Sequence, residues 1–199
     1  MNLDLGHTRL IIDECHRCNL LRNQAAYALA TAYHETAHTM EPVREAFNLS
    51  ENWRRRNLRY WPWYGRGFVQ LTWKENYIKA GKELGLDLTT DPDAVMEPKV
   101  SAKILVIGSR DGWFTGKKLS DYITLKKSNF VAARRIINGT DKAAHIAELA
   151  EQYDDALKAI GYGVAAPLDH VPTHTPPNAQ RPYTGIWAAL AAFLKGLGR

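Results

Sequence analysis

Two glutamates near the start of the chain are spaced so that they could act as an acid and a base. Glu35 lies at the end of an apolar, alanine-rich segment, where partial burial would suit a carboxyl group that acts as an acid. Glu45 lies beyond Pro42, which should turn the chain and let Glu45 face Glu35 across a cleft. A glycosidase needs such a pair, one acid and one base or nucleophile. Glu41 and Glu51 compete with Glu45 for the second role, because spacing excludes neither.

The same segment contains a second pattern, His34-Glu35-x-x-His38, which is the signature of zinc peptidases. In that interpretation the two histidines lie one helical turn apart and bind the metal, while Glu35 serves as the base. Zinc would need a third protein ligand, and the extended motif with a glycine and a third histidine is missing from residues 39–48. A zinc peptidase therefore remains an alternative of another class, and we expect no metal and no cofactor.

The aromatic stretch from Tyr60 to Trp73 offers flat apolar faces to sugar rings. Two glycines flank Arg66, which suits a close passage of the backbone beside a site. Gln70 and Thr72 lie two residues apart, so in an extended segment their side chains share a face and could hold a water or a sugar hydroxyl. For any single tryptophan, packing in the core is the competing interpretation.

The elements that must position these residues are mostly helical. Periodicity and helix breakers predict helices over residues 20–39, 74–84, 98–114, 130–137 and 141–160, with short strands expected only within residues 60–73. We predict a catalytic domain over residues 1–162 and a Pro-rich linker or strap over residues 163–184. Residues 185–199 are predicted to form an amphipathic cationic helix, which either docks on the domain or contacts an anionic membrane.

The composition favours an anionic partner without choosing one. The 199 residues contain 26 Lys and Arg against 21 Asp and Glu, a net charge of +5. No nucleic-acid motif accompanies the basic residues Arg54, Arg55, Arg56 and Arg59, so no nucleic-acid partner is expected. The Cys15-x-x-Cys18 pair lacks the further features of a redox or zinc site, so two reduced structural thiols are expected.

Four blocks of sequence, taken in order, resemble glycoside hydrolase family 19, which contains plant-type chitinases and many bacteriophage endolysins. The similarity covers about residues 20 to 160, and the block that begins Tyr-Gly-Arg-Gly is its most specific part. The blocks are His34-Glu35-Thr36, Glu45-x-x-Asn48-x-Ser50, Tyr64-Gly65-Arg66-Gly67-x-x-Gln70-Leu71-Thr72-x-x-x-Asn76-Tyr77 and Ile136-Ile137-Asn138-Gly139.

The resemblance implies a mainly α, lysozyme-like fold of two lobes with a central cleft and at most a small β element. It also implies a metal-free inverting hydrolysis, with Glu35 as general acid and Glu45 as general base. The chain departs from the usual family pattern where Ala37 and His38 replace two glycines, and where Glu75 replaces an aromatic residue. The side chains implied to bind substrate are Tyr64, Arg66, Gln70, Thr72, Asn76 and Asn138.

Within this family, the sequence favours peptidoglycan as the substrate. Peptidoglycan carries lactyl and stem-peptide carboxylates that chitin lacks, and a basic run near a cleft would suit them. We recognise no export signal and no disulfide framework, so we expect synthesis in a host cytoplasm and action on the cell wall after release. The prediction is a monomeric endolysin-type muramidase that cuts β-1,4 MurNAc–GlcNAc bonds, with a chitinase as the alternative.

Overall fold

A buried helix positions the first of the two glutamates. The computed structural model describes residues 1–163, in which helix α2 (Arg22–Glu35) is buried from Ala25 to Ala32. A helix that packs on all sides must be apolar on all sides, and the small alanines let helix α8 (Ala143–Ala159) pack closely against it. Glu35 is the last residue of α2, so the core of the domain holds its backbone in place.

The other described elements surround this helix pair or form the walls of the cleft. Helices α1 and α5 also contact α2, and α7 contacts α8. In chain order, the elements besides α2 and α8 are α1 (Thr8–Arg17), β1 (Val43–Arg44), α3 (Glu51–Asn57), β2 (Arg66–Gly67), α4 (Lys74–Leu84), a 3-10 helix (Pro92–Met96), α5 (Pro98–Asp111), α6 (Leu119–Tyr122), β3 (Ile123–Thr124), β4 (Lys127–Ser128), α7 (Phe130–Ala133) and a second 3-10 helix (Arg134–Ile136).

The predicted mainly α architecture is confirmed, and most predicted helices are present with shifted ends. Helix α4 has the predicted bounds and stops at Gly85, whose φ of +67° is the left-handed conformation that glycine adopts readily. Helix α5 ends at Gly112 in the same conformation, short of the predicted residue 114. The predicted helix over residues 130–137 divides into α7 and the second 3-10 helix.

The prediction that short strands occur only within residues 60–73 is wrong. Strand β2 lies there, but its antiparallel partner β1 precedes α3, and β3 and β4 form a second pair further along the chain. Strands of two residues are too short to show an alternating pattern, so the sequence gives no periodic signal for them. Helices α1, α3 and α6 were not predicted either, and α3 and α6 have only seven and four residues.

Helix α2 ends earlier than predicted because the chain turns sharply after Glu35. The backbone N–H of His38 donates to the carbonyl of Tyr33 at 2.8 Å, and that of Ala37 donates to His34 at 3.3 Å. These two bonds form a Schellman motif, which requires a left-handed residue directly after the helix cap. Ala37 and His38 have φ of +49° and +69°, so both occupy conformations that favour glycine.

Both cysteines are free thiols, as predicted, and burial raises the pKa of the Cys15 thiol. Among residues 1–163, none of the helices combines the length and hydrophobicity that crossing a bilayer requires. The predicted linker of residues 163–184, apart from residue 163, and the predicted helix of residues 185–199 lie outside the described residues. Contact of that helix with an anionic membrane therefore stays a prediction.

Replacing Ala37 with glycine should stabilise the protein. The side chain of Ala37 is exposed, and at φ +49° its Cβ crowds the backbone, so Ala37→Gly should raise the free energy of unfolding by about 1 kcal/mol. Ala37→Val is the matched control and should lower it, because a branched side chain is worse in this region. Urea denaturation of the wild type and the two variants measures the order of their free energies of unfolding. Equal values for the three proteins would contradict backbone strain at residue 37.

Candidate active site

One cleft of about 540 Å³ contains both predicted catalytic glutamates. Its lining comes from the end of α2, from the residue after β1, from the segment 60–76, and from Phe114 and the segment 134–138 on the other side. Such a volume is typical of a ligand site. Six of the eight predicted site residues line this cleft, namely Glu35, Glu45, Gln70, Thr72, Asn76 and Asn138.

Glu35 is held by a buried arginine that the sequence analysis did not identify. Its side chain is 17% exposed, and Oε1 accepts a hydrogen bond from Nη1 of Arg134 at 2.8 Å. The Nε of Arg134 donates to the carbonyl of Asp141 at 3.0 Å, which fixes the guanidinium. Glu35 is thus partly buried, as expected, but its carboxyl also faces a cation that was not expected. The one feature of the sequence that could have indicated Arg134 is its position four residues before Asn138, next to the last of the four blocks that resemble the family.

Glu45 is held by the strand pair and by two hydrogen bonds to its carboxylate. The pairing of β1 with β2 places Glu45 beside Gly65, and the backbone N–H of Glu45 donates to the Gly65 carbonyl at 2.7 Å. Oε2 accepts from the Gly65 N–H at 3.0 Å, and Oε1 accepts from the Tyr60 hydroxyl at 2.6 Å. Arg54 adds a bond from its Nε to the Glu45 carbonyl at 2.8 Å. The carboxylate thus has a fixed direction.

Gly65 allows three polar side chains to approach one another. A Cβ at this position would lie 2.8 Å from Oε1 of Gln70 and 3.3 Å from both Oε2 of Glu45 and Oγ1 of Thr72. Only glycine therefore leaves room for this arrangement, which agrees with the predicted close passage of the backbone. Gln70 donates to the Val43 carbonyl at 2.9 Å, so its side chain is also tied to β1.

Tyr64 and Arg66 do not line the cleft, contrary to what the resemblance implied. Both are buried, and the Arg66 guanidinium carbon lies 3.6 Å from the centroid of the Tyr64 ring. Arg66 donates to Asp93 at 2.8 Å and to the carbonyl of Pro62 at 2.8 Å. Their position suits support of the cleft wall, because their polar groups are already engaged inside the protein.

The two competitors of Glu45 lie outside this cleft. Glu41 is exposed and pairs with His7 at 3.0 Å. Glu51 accepts from Nε1 of Trp61 at 2.7 Å and from the hydroxyl of Tyr64 at 2.9 Å. Burial by itself would raise the pKa of Glu51, but these two hydrogen bonds act against it, and that pKa lies below its ordinary value. Glu45 is therefore the carboxylate that shares the cleft with Glu35.

Among residues 1–163, the zinc-peptidase alternative finds no third ligand grouped with His34 and His38. The ring of His38 stacks on Tyr33 at a centroid distance of 4.4 Å, while His34 faces His145 edge-on at 5.8 Å. Within the part of the chain that the structure describes, no three His, Cys, Asp or Glu side chains are grouped so that they could hold a metal ion.

Comparison with known proteins shows similarity to one family. The sequence model of glycoside hydrolase family 19, described as chitinase class I, matches residues 19–115. An acidic endochitinase of Dioscorea japonica is 37% identical over 125 residues, which cover 59% of this chain and 47% of the relative. Chitinase 5 of Oryza sativa subsp. japonica is 31% identical over 125 residues, covering 59% of this chain and 40% of the relative.

A solved structure shows the same fold. The crystal structure of chitinase C from Streptomyces griseus HUT6037 superposes with a TM-score of 0.52 at 23% identity, covering 69% of this chain and 60% of that one. The chain spans less than half the length of the two curated relatives above. The family match over residues 19–115 includes Glu35 and Glu45 but ends before Arg134 and Asn138.

The hydroxyl of Tyr60 should stay protonated far into the alkaline range. Burial, followed by the hydrogen bond to Glu45, raises the pKa of Tyr60 to about 12, above the ordinary value of 10. The folded state therefore binds this proton more tightly than the unfolded state does, and the resulting stability is lost as pH rises from 10 towards 12.

Thermal unfolding of the wild type and of Tyr60→Phe across this pH range measures the effect. The wild type should lose stability more steeply than the variant, because phenylalanine has no proton to release. Absorbance of tyrosinate gives the second readout, in which one titration near 12 disappears in the variant. Parallel unfolding curves for the two proteins would rule out the hydrogen bond to Glu45 as a source of this stability.

Proposed function

Because residues 19–115 match the model of glycoside hydrolase family 19, we propose that the chain belongs to this family and hydrolyses β-1,4 bonds in a glycan of N-acetylhexosamines by an inverting mechanism. The observation that carries this proposal is the presence of Glu35 and Glu45 in one cleft, each held by its own hydrogen-bond donors. An inverting glycosidase needs two carboxyl groups with room between them for a water, a separation of about 6.5–9.5 Å.

In this mechanism each glutamate has a different task. Glu35 gives a proton to the leaving glycosidic oxygen as the bond to the anomeric carbon breaks. Glu45 takes a proton from a water that attacks the same carbon from the opposite face, so the product has inverted configuration. Gln70 and Thr72 lie beside Glu45 around Gly65 and are placed to hold that water. Arg134 directs the Glu35 carboxyl into the cleft.

Removal of either carboxyl group should abolish turnover. Glu35→Gln and Glu45→Gln should each lower kcat by at least about a hundredfold, since proton transfer by a positioned side chain contributes that much or more. Glu41→Gln is the matched control, because Glu41 pairs with His7 outside the cleft, and it should keep activity. Circular dichroism checks that the variants fold. A fully active Glu45→Gln, or an inactive Glu41→Gln, would show that the base is misassigned.

We propose peptidoglycan as the substrate and a MurNAc–GlcNAc bond as the one that is cut. The support is electrostatic. The chain has a net charge of +5, and Arg59 lies over the ring of Trp73, which lines the cleft. Peptidoglycan carries carboxylates, whereas chitin has none, so a cationic rim favours peptidoglycan. The second candidate is chitin, which is favoured by the names of the relatives, an acidic endochitinase and chitinase 5.

Analysis of the newly formed ends separates these candidates. Purified peptidoglycan and chitin oligosaccharides are digested in parallel, and the products are identified by mass spectrometry. We expect MurNAc at the new reducing ends and a kcat/KM on peptidoglycan at least about tenfold above that on chitin oligosaccharides, because charge complementarity adds to binding. The first-formed anomer, measured by NMR, should be inverted.

Each contrary result has a distinct meaning. Reducing-end GlcNAc from peptidoglycan would indicate a glucosaminidase, and faster cleavage of chitin would favour the chitinase. New amino groups that disappear after treatment with a chelator would support the zinc peptidase with His34 and His38 as ligands. A retained anomeric configuration would exclude the inverting mechanism.

A further inference from the structure

We propose that Arg59 and Trp73 form a carboxylate-binding subsite at the rim of the cleft, where Arg59 pairs with an acidic group of the glycan. This inference rests on the proposed function, because the carboxylate belongs to peptidoglycan. It goes beyond it by assigning the preference for an anionic substrate to one arginine. The chemical class of ligand is an N-acetylhexosamine that carries a carboxylate, either on its lactyl ether or on its stem peptide.

The basic residues of the segment 54–59 differ in whether their guanidinium groups already have partners inside the protein. Arg54 is buried and donates to the carbonyls of Glu45 and Ala46, so it supports the loop after β1. Arg59 is exposed, and within residues 1–163 it makes no ion pair with a carboxylate. Its guanidinium carbon lies 5.1 Å from the centroid of the ring of Trp73, a residue that lines the cleft.

Trp73 gives the subsite its apolar floor. The residue lines the cleft and is 43% exposed, so its ring is accessible to a ligand. Its φ of +77° is strained for a bulky residue, and such strain persists at functional sites when the surroundings hold it. Here the backbone N–H donates to the Trp63 carbonyl at 2.9 Å, and the Tyr60 ring lies edge-on at 4.9 Å.

This pair is connected to the catalytic centre through a single residue. Tyr60 contacts the Trp73 ring and donates its hydroxyl to Glu45 at 2.6 Å. A sugar bound against Trp73 would therefore lie close to the sugar attacked by the water of Glu45, within reach of Arg59. The planar guanidinium can bind both oxygens of a carboxylate at once, which makes arginine more selective for this group than lysine.

The test measures coupling between Arg59 and the carboxylates of the substrate. Peptidoglycan is used as isolated and after its carboxyl groups have been converted to amides with a carbodiimide and ammonia. On untreated peptidoglycan, Arg59→Gln should lower kcat/KM about tenfold, the usual weight of a charge-assisted pair. Amidation of the substrate should lower the kcat/KM of the wild type by a similar factor. It should leave the kcat/KM of Arg59→Gln nearly unchanged, because this variant has already lost the interaction with the carboxylate.

Arg56→Gln is the matched control for charge. Arg56 is an exposed residue of α3, three positions from Arg59, and its loss changes the net charge by the same amount. The kcat/KM of the control should stay within about twofold of that of the wild type, and amidation should lower it as much as it lowers the wild type. The reason is that a surface charge without a fixed partner contributes little to binding. An equal loss in both variants would show a general charge effect and overturn the subsite.

Two further arms identify the carboxylate and separate the two proposals. Where a stem peptide is attached, the lactyl carboxyl is bound in an amide, so the free carboxylates of those units belong to the peptide. On glycan strands freed of stem peptides by an amidase, coupling that is lost identifies a stem-peptide carboxylate, and coupling that persists shows that Arg59 also binds the exposed lactyl carboxylate. If the wild type releases no reducing ends from untreated peptidoglycan, the proposed substrate fails. If the wild type does release reducing ends, but amidation lowers the kcat/KM of the wild type and of Arg59→Gln by the same factor, only the proposed subsite is contradicted.

Discussion

The packing of α2 against α8 is the constraint on which the cleft depends. Alanines along α2 bring the two helices close together, and this contact aligns the end of α2 with the segment that precedes α8. Glu35 lies at that helix end, and Arg134 lies in the preceding segment, 99 residues away in sequence. Both residues are therefore placed by the core. The ion pair between them joins the two walls of the cleft, and a buried arginine without that partner would be costly.

The second glutamate depends on a different kind of constraint. Glu45 follows a strand of only two residues, which by itself provides little rigidity. Its direction comes instead from the absent side chain of Gly65 and from the hydroxyl of Tyr60, and the neighbouring Arg66 is buried. A helix end thus holds one carboxyl group and a loop braced by buried polar contacts holds the other. Two independent supports allow the two groups to have different surroundings, as an acid and a base require.

The sequence predicted what depends on short-range patterns. Helix α4 was predicted with its observed bounds because its apolar period ends at Gly85, and the Gly-Arg-Gly block correctly indicated a tight backbone beside the cleft. Tyr64 and Arg66 belong to the same block, but the residues that engage them, among them Asp93, cannot be read from spacing. Arg134 was missed for the same reason. Its partner is distant in sequence, and a lone arginine in a short helix has no pattern of its own.

The basic run shows most clearly why charge in a sequence does not identify a partner. Four arginines within six residues could be a solvated surface or a binding site, and composition treats them alike. In the structure one is buried beneath Glu45, and another rests on an exposed tryptophan at the cleft. A guanidinium group whose N–H groups already donate to partners inside the protein has few donors left for a ligand, whereas one without such partners keeps them available. If the proposed function holds, specificity for an anionic glycan would depend on the rim of the cleft, whereas hydrolysis would depend on its two carboxyl groups.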